Sequence, residues 1–292
     1  MLLQLDGVGK AFGGVAAVDG VSFGVAPGQV HGLIGPNGAG KTTIINLISG
    51  LLPPDRGMIR FGDQRIDRMP SHRIAALGIR RTYQNIRLFP AMTALENVTV
   101  GQHTRRSDTL LERLWFSPRV ADEERRLRGE AMALLARLEV ASLAAVRASN
   151  LSYGDQRRLE IARALGSRPR LLLLDEPAAG MNSTEAQLLG RLVRSLLSDG
   201  LTVLLVEHNV RLVMEICDRI TVLDFGRVIA EGTPAQVSRD EAVIAAYLGT
   251  EDEQPDDVQE TKASLEAAAG RLIEPAPATG GARGPDADAE AG

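Results

Sequence analysis

The chain has 292 residues, of which 44 % are hydrophobic, 24 % charged and 3 % aromatic, enough apolar material for one large packed domain or two small ones. No apolar run reaches the roughly 18 residues of a membrane-spanning helix, and the N-terminus Met1-Leu2-Leu3-Gln4-Leu5-Asp6 lacks the features of a secretory signal. The lone Cys217 excludes an internal disulfide framework and fits a reducing, cytosolic compartment.

In chain order, Val15 to Pro27 reads as strand, and Val30–Ile34 as a buried strand that runs into a glycine-rich loop. Lys41 to Ser49 then reads as a helix closed by Gly50. Met58–Phe61 is a short strand, and Ser71 is expected to cap a helix that runs to Leu77 and stops at Gly78. Ile79–Tyr83 is a short segment leading to Gln84. From about Met92 to Leu165 the pattern is helical, with charged amphipathic stretches such as Ala121–Leu138. Strand and helix then alternate: Leu171–Leu174, a helix over Thr184–Leu197 stopped at Asp199-Gly200, Leu201–Val206, and a helix over Val210–Ile216. Arg219–Asp224 and Arg227–Ala230 form a closing hairpin through Phe225-Gly226.

Continuous apolar strands alternating with helices imply an α/β fold with a mostly parallel sheet covered on both faces. The domain is expected over residues 1–249, with a helical insertion at about 86–165. The formal net charge of −4 is uneven, because residues 251–292 hold eleven Asp or Glu against Lys262, Arg271 and Arg283. The tail therefore carries −8 and the first 250 residues +4. The tail from residue 250 is acidic and rich in Ala, Pro and Gly, a composition that favours disorder. The mild positive excess of the remainder suits a small polyanion but does not argue for a nucleic-acid partner.

The sharpest local signal is Gly35-Pro36-Asn37-Gly38-Ala39-Gly40-Lys41-Thr42-Thr43, which follows a strand and opens a helix. The glycines let the backbone turn its N–H groups onto phosphate oxygens, and the helix adds the positive end of its dipole. Lys41 is expected to neutralise the β- and γ-phosphates of ATP, with the Thr42 hydroxyl on Mg²⁺. Leu171-Leu172-Leu173-Leu174-Asp175-Glu176-Pro177 places two acids at the end of a strand that is apolar enough to be central. The C-terminal end of such a strand opens into the ligand crevice, where Asp175 can support the Mg²⁺ shell and Glu176 can polarise an attacking water. His208 ends the next buried strand; it is either a structural histidine or a second group reaching the γ-phosphate.

Together with Leu151-Ser152-Tyr153-Gly154-Asp155-Gln156-Arg157-Arg158, shortly before the Leu171 strand, these motifs resemble the nucleotide-binding subunits of ATP-binding cassette (ABC) transporters. The resemblance covers roughly residues 2–249. It implies a phosphate-loop ATPase core, an N-terminal antiparallel β subdomain and an inserted helical subdomain. Ser152 would cap a helix whose first-turn N–H groups, with Gly154 and Asp155, meet phosphate. The resemblance makes Phe12 an aromatic stacking on adenine, Gln84 a contact to Mg²⁺ and to the membrane partner, Glu176 the catalytic base and His208 the switch histidine. It also implies that two ATP-binding subunits, identical or paralogous, close over two ATP molecules, the signature of one covering the phosphate loop of the other. Integral membrane permease subunits and, indirectly, an external solute-binding protein would complete the system, which puts the chain at the cytoplasmic face of the membrane.

Tyr153 stands where glycine is commonest in the family, Asp155 where glutamine is, and Asn182 where aspartate is. With Phe12-Gly13-Gly14-Val15-Ala16-Ala17-Val18-Asp19, Arg81-Thr82-Tyr83-Gln84, Leu88-Phe89-Pro90 and Ala178-Ala179-Gly180-Met181-Asn182, these departures resemble the ATPases of branched-chain amino acid importers. Urea importers carry close relatives of that branch. The stretch Thr104–Arg128, with Trp115, resembles its longer helical insertion. A soluble ABC ATPase of the translation type would carry two phosphate loops, and a repair type would insert a long coiled coil. This chain has one loop, and only 67 residues lie between Gln84 and Ser152, without sustained heptads.

Overall fold

The computed structural model of the protein describes residues 1–105 and 118–248. Trp115, much of the Thr104–Arg128 stretch and the acidic tail lie outside the described residues.

Two sheets and two hydrophobic clusters organise the described residues. The first sheet is antiparallel, in the order β2-β1-β4-β5, from β1 (Leu3–Phe12), β2 (Val15–Val25), β4 (Arg56–Phe61) and β5 (Gln64–Arg65). β1 alternates only over Leu3-Gln4-Leu5-Asp6 before Gly7 and Gly9 break the pattern, and sequence reading leaves it unassigned. It becomes a strand because β2 and β4 pair with it on both sides, Leu5 facing Phe23 on one and Ile59 on the other.

The second sheet has the order β10-β9-β3-β8-β7-β6, from β3 (Val30–Ile34), β6 (Ile79–Arg81), β7 (Leu171–Asp175), β8 (Thr202–Val206), β9 (Arg219–Asp224) and β10 (Arg227–Gly232). All pairings are parallel except the β9–β10 hairpin. Every residue of β3, β7 and β8 is buried, as a central parallel strand requires. Their side chains split by parity. Leu171, Leu173, Leu204 and Val206 join one cluster with Ile44, Ile45, Leu47 and Ile48 of α1 (Lys41–Ile48) and the inner face of the antiparallel sheet. Leu172, Leu174, Val203 and Leu205 join the other, under the helical insertion and the C-terminal helices.

The described residues of the insertion are less uniformly helical than the sequence suggests. Among those residues are α3 (Ala94–Gly101), α4 (Pro118–Arg137) and α5 (Tyr153–Leu165), with 3₁₀ turns at His103–Arg105, Ala141–Leu143 and Ala148–Asn150 and an isolated bridge between Thr93 and Arg147. Helix α2 (Ser71–Ala76) begins differently from expectation. Its N-cap is Pro70, and the Ser71 hydroxyl donates to the carbonyl of Gly50 at 2.8 Å, tying the helix to the end of α1 instead of capping it. Helix α6 (Ser183–Ser195) starts with a capping box between Asn182 and Glu185, and α7 (Val210–Ile216) is capped by Asn209. The chain continues past β10 into α8 (Pro234–Val237) and α9 (Glu241–Leu248), which carry Val237, Val243 and Tyr247 into the second cluster.

Candidate functional site: a nucleotide crevice at one edge of the parallel sheet

Parallel register aligns the C-terminal ends of the central strands. Leu33 and Asp175 both pair with Val206, and Thr82 donates to Leu173 from the end of β6 at 3.0 Å. The phosphate loop, Asp175-Glu176, Glu207-His208 and the segment leading to Gln84 therefore leave the sheet at the same edge, where open α/β sheets bind ligands.

The loop is held in a shape that only glycine tolerates at two points. Gly35 has φ 151°, and a Cβ there would lie 2.1 Å from the Leu223 carbonyl oxygen; Gly40 has φ 101°, with Ala17 O at 2.5 Å from such a Cβ. Gly40 is also the N-cap of α1 and offers no side chain, so no side-chain cap occupies the first-turn N–H groups. Lys41 is 7 % exposed, and its ammonium donates to the carbonyls of Gly35 (2.6 Å) and Pro36 (2.9 Å), holding the charge inside the loop. Thr42, Asn37 and Gly38 are exposed on the loop, and Pro36 and Ala39 buried, with Thr43 half-buried. A tight turn of positive-φ glycines, an uncapped helix start and an internal lysine form a fitting cradle for a polyphosphate. Phe12, at the end of β1, is 47 % exposed, with the Lys10 ammonium 5.7 Å from its ring centroid.

At the end of β7, Glu176 has φ 46°, a left-handed backbone at a non-glycine residue. Its N–H still donates to Val206 at 2.9 Å, so strand pairing carries on into the turn. The side chain accepts a hydrogen bond from Gln84 Nε2 at 2.8 Å, and the same Oε2 lies 4.0 Å from His208 Nδ1. Three of the residues singled out from sequence thus meet at one carboxylate. Asp175, 4 % exposed, accepts from Arg81 at 2.7 Å, and Arg81 also donates to Asn46 on α1 at 2.6 Å. Thr42, Gln84 and Asp175 offer oxygen ligands only, the hard donor set that Mg²⁺ prefers.

The signature segment starts α5. Ser152 is the N-cap: its hydroxyl accepts from Asp155 N–H at 3.2 Å and donates to the Asp155 carboxylate at 2.7 Å. Asp155 thereby places its own negative charge at the helix start.

Two functional groups escaped sequence reasoning. Glu207 is fully buried; its Oε1 accepts from Ala178 N–H at 2.8 Å and its Oε2 lies 3.8 Å from His208 Nδ1. Burial pushes its carboxyl pKa up, against the pull of those hydrogen bonds and of His208. It ties the strand end bearing His208 to the loop that leaves Glu176. The signal was present, since Glu207 ends an apolar run as Asp175 does. Arg81 was legible only as part of a quoted motif.

The model of the family described as ABC transporter matches residues 18–179, more than half of the chain. The chain belongs to the ABC transporter family. A second model, branched-chain amino acid ATP-binding cassette transporter, matches residues 227–253. The chain is similar to the high-affinity branched-chain amino acid transport ATP-binding proteins BraF of Pseudomonas aeruginosa and LivG of Escherichia coli strain K12. They are 45 % and 43 % identical over 249 residues, in each case 85 % of this chain and 98 % of the relative. Among solved structures it resembles the ADP conformation of the ATP-binding cassette MJ1267, with a TM-score of 0.75 and 33 % identity over 85 % of this chain and 99 % of that one. The chain is an ATP-hydrolysing cassette with the α/β phosphate-loop fold read from its sequence.

Proposed function

We propose that this cassette drives the uptake of branched-chain or similar amino acids. It binds ATP at the interface with a second ATP-binding subunit and passes the resulting motion to integral membrane permeases. The observation that carries the reading is the meeting of Gln84 and His208 at the Glu176 carboxylate, at the edge where the phosphate loop opens. Lys41 and the loop N–H groups hold the polyphosphate and Phe12 stacks on the base. Glu176, kept in place by Gln84 and a strained backbone, takes the proton of the attacking water. His208 donates toward the transferring phosphoryl group. Thr42, Gln84 and Asp175 would hold Mg²⁺, which supplies charge neutralisation on the phosphates. Ser152, with Gly154 and Asp155, meets the ATP held by the second subunit.

Between the sheet edge and the insertion lies a groove of about 460 Å³, lined by His72, Arg80, Phe89, His103 and Arg163 among others. Phe89 is 44 % exposed there. The groove adjoins the loop that bears Gln84, and it is the surface we assign to a permease helix. Docking there makes the chain a peripheral subunit on the cytoplasmic face. The similarity to BraF and LivG over almost their whole length supports the amino-acid substrate.

Uptake of labelled leucine and of labelled urea in cells lacking this gene tests the reading. Loss of leucine uptake, restored by the wild-type chain but not by Glu176→Gln, is the expected result. Intact leucine uptake with lost urea uptake would move the assignment to a urea or amide importer, and no change in either would remove the importer reading.

A further inference from the structure

Arg157 is the largest fully buried side chain in the described residues, with 0 % exposure. A buried guanidinium is stable only where hydrogen bonds offset its desolvation; here the two terminal nitrogens carry them all, and Nε has no partner. One nitrogen, Nη1, donates to the backbone carbonyl of Tyr83 at 2.7 Å and to Glu160 Oε2 at 2.8 Å. The other, Nη2, donates to the backbone carbonyl of Gln84 at 2.8 Å and to the Tyr153 hydroxyl at 3.2 Å. Glu160 is equally buried, and its second oxygen accepts from Arg87 N–H at 3.1 Å. The pair therefore grips the backbone of the Gln84 loop on both sides of that residue, at 83–84 and at 87.

Both residues project from α5, and Arg157 sits less than two turns after the N-cap Ser152. A helix is stiff over that distance. Any displacement of the backbone at Gln84 is therefore transmitted to the position of Ser152 and of the first-turn N–H groups. Gln84 in turn bonds Glu176 at the nucleotide's reacting end. Short contacts thus run from Glu176 through Gln84 to Arg157, and the first turns of α5 carry on to Ser152.

We propose that the Arg157–Glu160 pair is the positioning link that sets the signature serine according to the state of the Gln84 loop, so that nucleotide in this chain's own phosphate loop tunes the part of the chain that serves the second subunit's site. The proposal rests on the two-subunit nucleotide reading above and names the residues that join the two sites. Four directional bonds, two of them to main-chain carbonyls, make the link specific to a planar guanidinium. A lysine ammonium keeps the charge but is a single point with no fork to span Tyr83, Gln84 and Glu160 together. Allosteric couplings of this kind are commonly worth about 5- to 150-fold.

The test is hydrogen exchange of the full-length chain with and without MgATP, at a dilution where light scattering shows a monomer. Under that condition no second subunit touches Ser152. In the wild type, MgATP is expected to slow exchange at residues 35–43 and 82–87, and also to change it by at least about fivefold at 152–157. In Arg157→Lys and in Glu160→Gln the phosphate loop should still respond while the change at 152–157 vanishes. Glu160→Gln keeps the shape of the side chain and serves where Arg157→Lys does not fold. A wild type that responds at the phosphate loop but not at 152–157 would overturn the link alone. So would a folded variant whose signature segment still responds in full. Absence of any response at residues 35–43 would instead remove the nucleotide reading, and the link with it.

Discussion

Histidine 31 offers a stability prediction whose size follows from its surroundings. It lies on β3, the strand that delivers the phosphate loop, and is fully buried. Its ring stacks on Phe23 with centroids 5.6 Å apart, and Nε2 meets Thr221 Oγ1 at 2.8 Å. Burial, aided by the positive charge of Arg219, lowers its pKa from 6.5 to about 4. Between those two values the unfolded chain binds a proton that the folded chain refuses, so unfolding becomes easier as pH falls. The stability is fully present above pH 6.5 and is lost progressively on the way down to about pH 4. From pH 7 to pH 5 the loss from this one group amounts to about 2 kcal/mol, each pKa unit being worth about 1.4 kcal/mol. Carboxylates titrate over part of the same range, so the informative quantity is a difference. Urea unfolding of the wild type and of His31→Gln, at pH 7 and pH 5, should show the wild type's advantage over the variant shrinking by about 2 kcal/mol. An advantage independent of pH would refute the assignment of a depressed pKa to His31.

Glu176→Gln should retain ATP binding and lower turnover by about 10²- to 10⁴-fold in a phosphate-release assay, the usual contribution of a positioned base; near-normal hydrolysis would remove Glu176 from that role. Lys41→Ala should weaken nucleotide affinity itself, read by equilibrium binding of a fluorescent ATP analogue. Gly40→Ala should abolish that binding, because its Cβ would meet Ala17 O at 2.5 Å, whereas Gly38→Ala, with nothing within 4 Å of its Cβ, should carry only the strain of φ 81°, about 1–2 kcal/mol. Arg81→Met strands the buried Asp175 carboxylate and should lower stability in urea by about 3–5 kcal/mol. Adding Asp175→Asn should recover much of that loss, and a single variant as stable as the wild type would show that the pair contributes nothing.

Much of the core was legible because parallel central strands leave little freedom. Leu171–Leu174 and Leu201–Val206 have no polar face, so they had to be covered on both sides, and the acids ending the first had to emerge at a sheet edge. The phosphate loop was legible for a related reason: glycine at 35 and 40 is required by backbone carbonyls that leave no room for a Cβ. β1 was not legible, since its strand character comes from partners at residues 15–25 and 56–61. Nor was the role of Ser71, whose hydroxyl turned to Gly50 because a neighbouring helix end supplied an acceptor.

The sequence by itself determined that the chain carries a phosphate-loop motif at residues 35–43 and acids at Asp175 and Glu176, and belongs with the ABC cassettes. Those features are local: each depends on a few adjacent residues and on strands whose burial is written in their composition. Only the tertiary structure decided that Gln84 and His208 converge on Glu176, that Arg81 pairs with Asp175, that Glu207 is buried beside His208, and that Arg157 and Glu160 hold the Gln84 loop. Such contacts join residues up to 94 positions apart. Sheet register and helix packing set them, and no periodicity along the chain encodes a distance between two side chains on different elements.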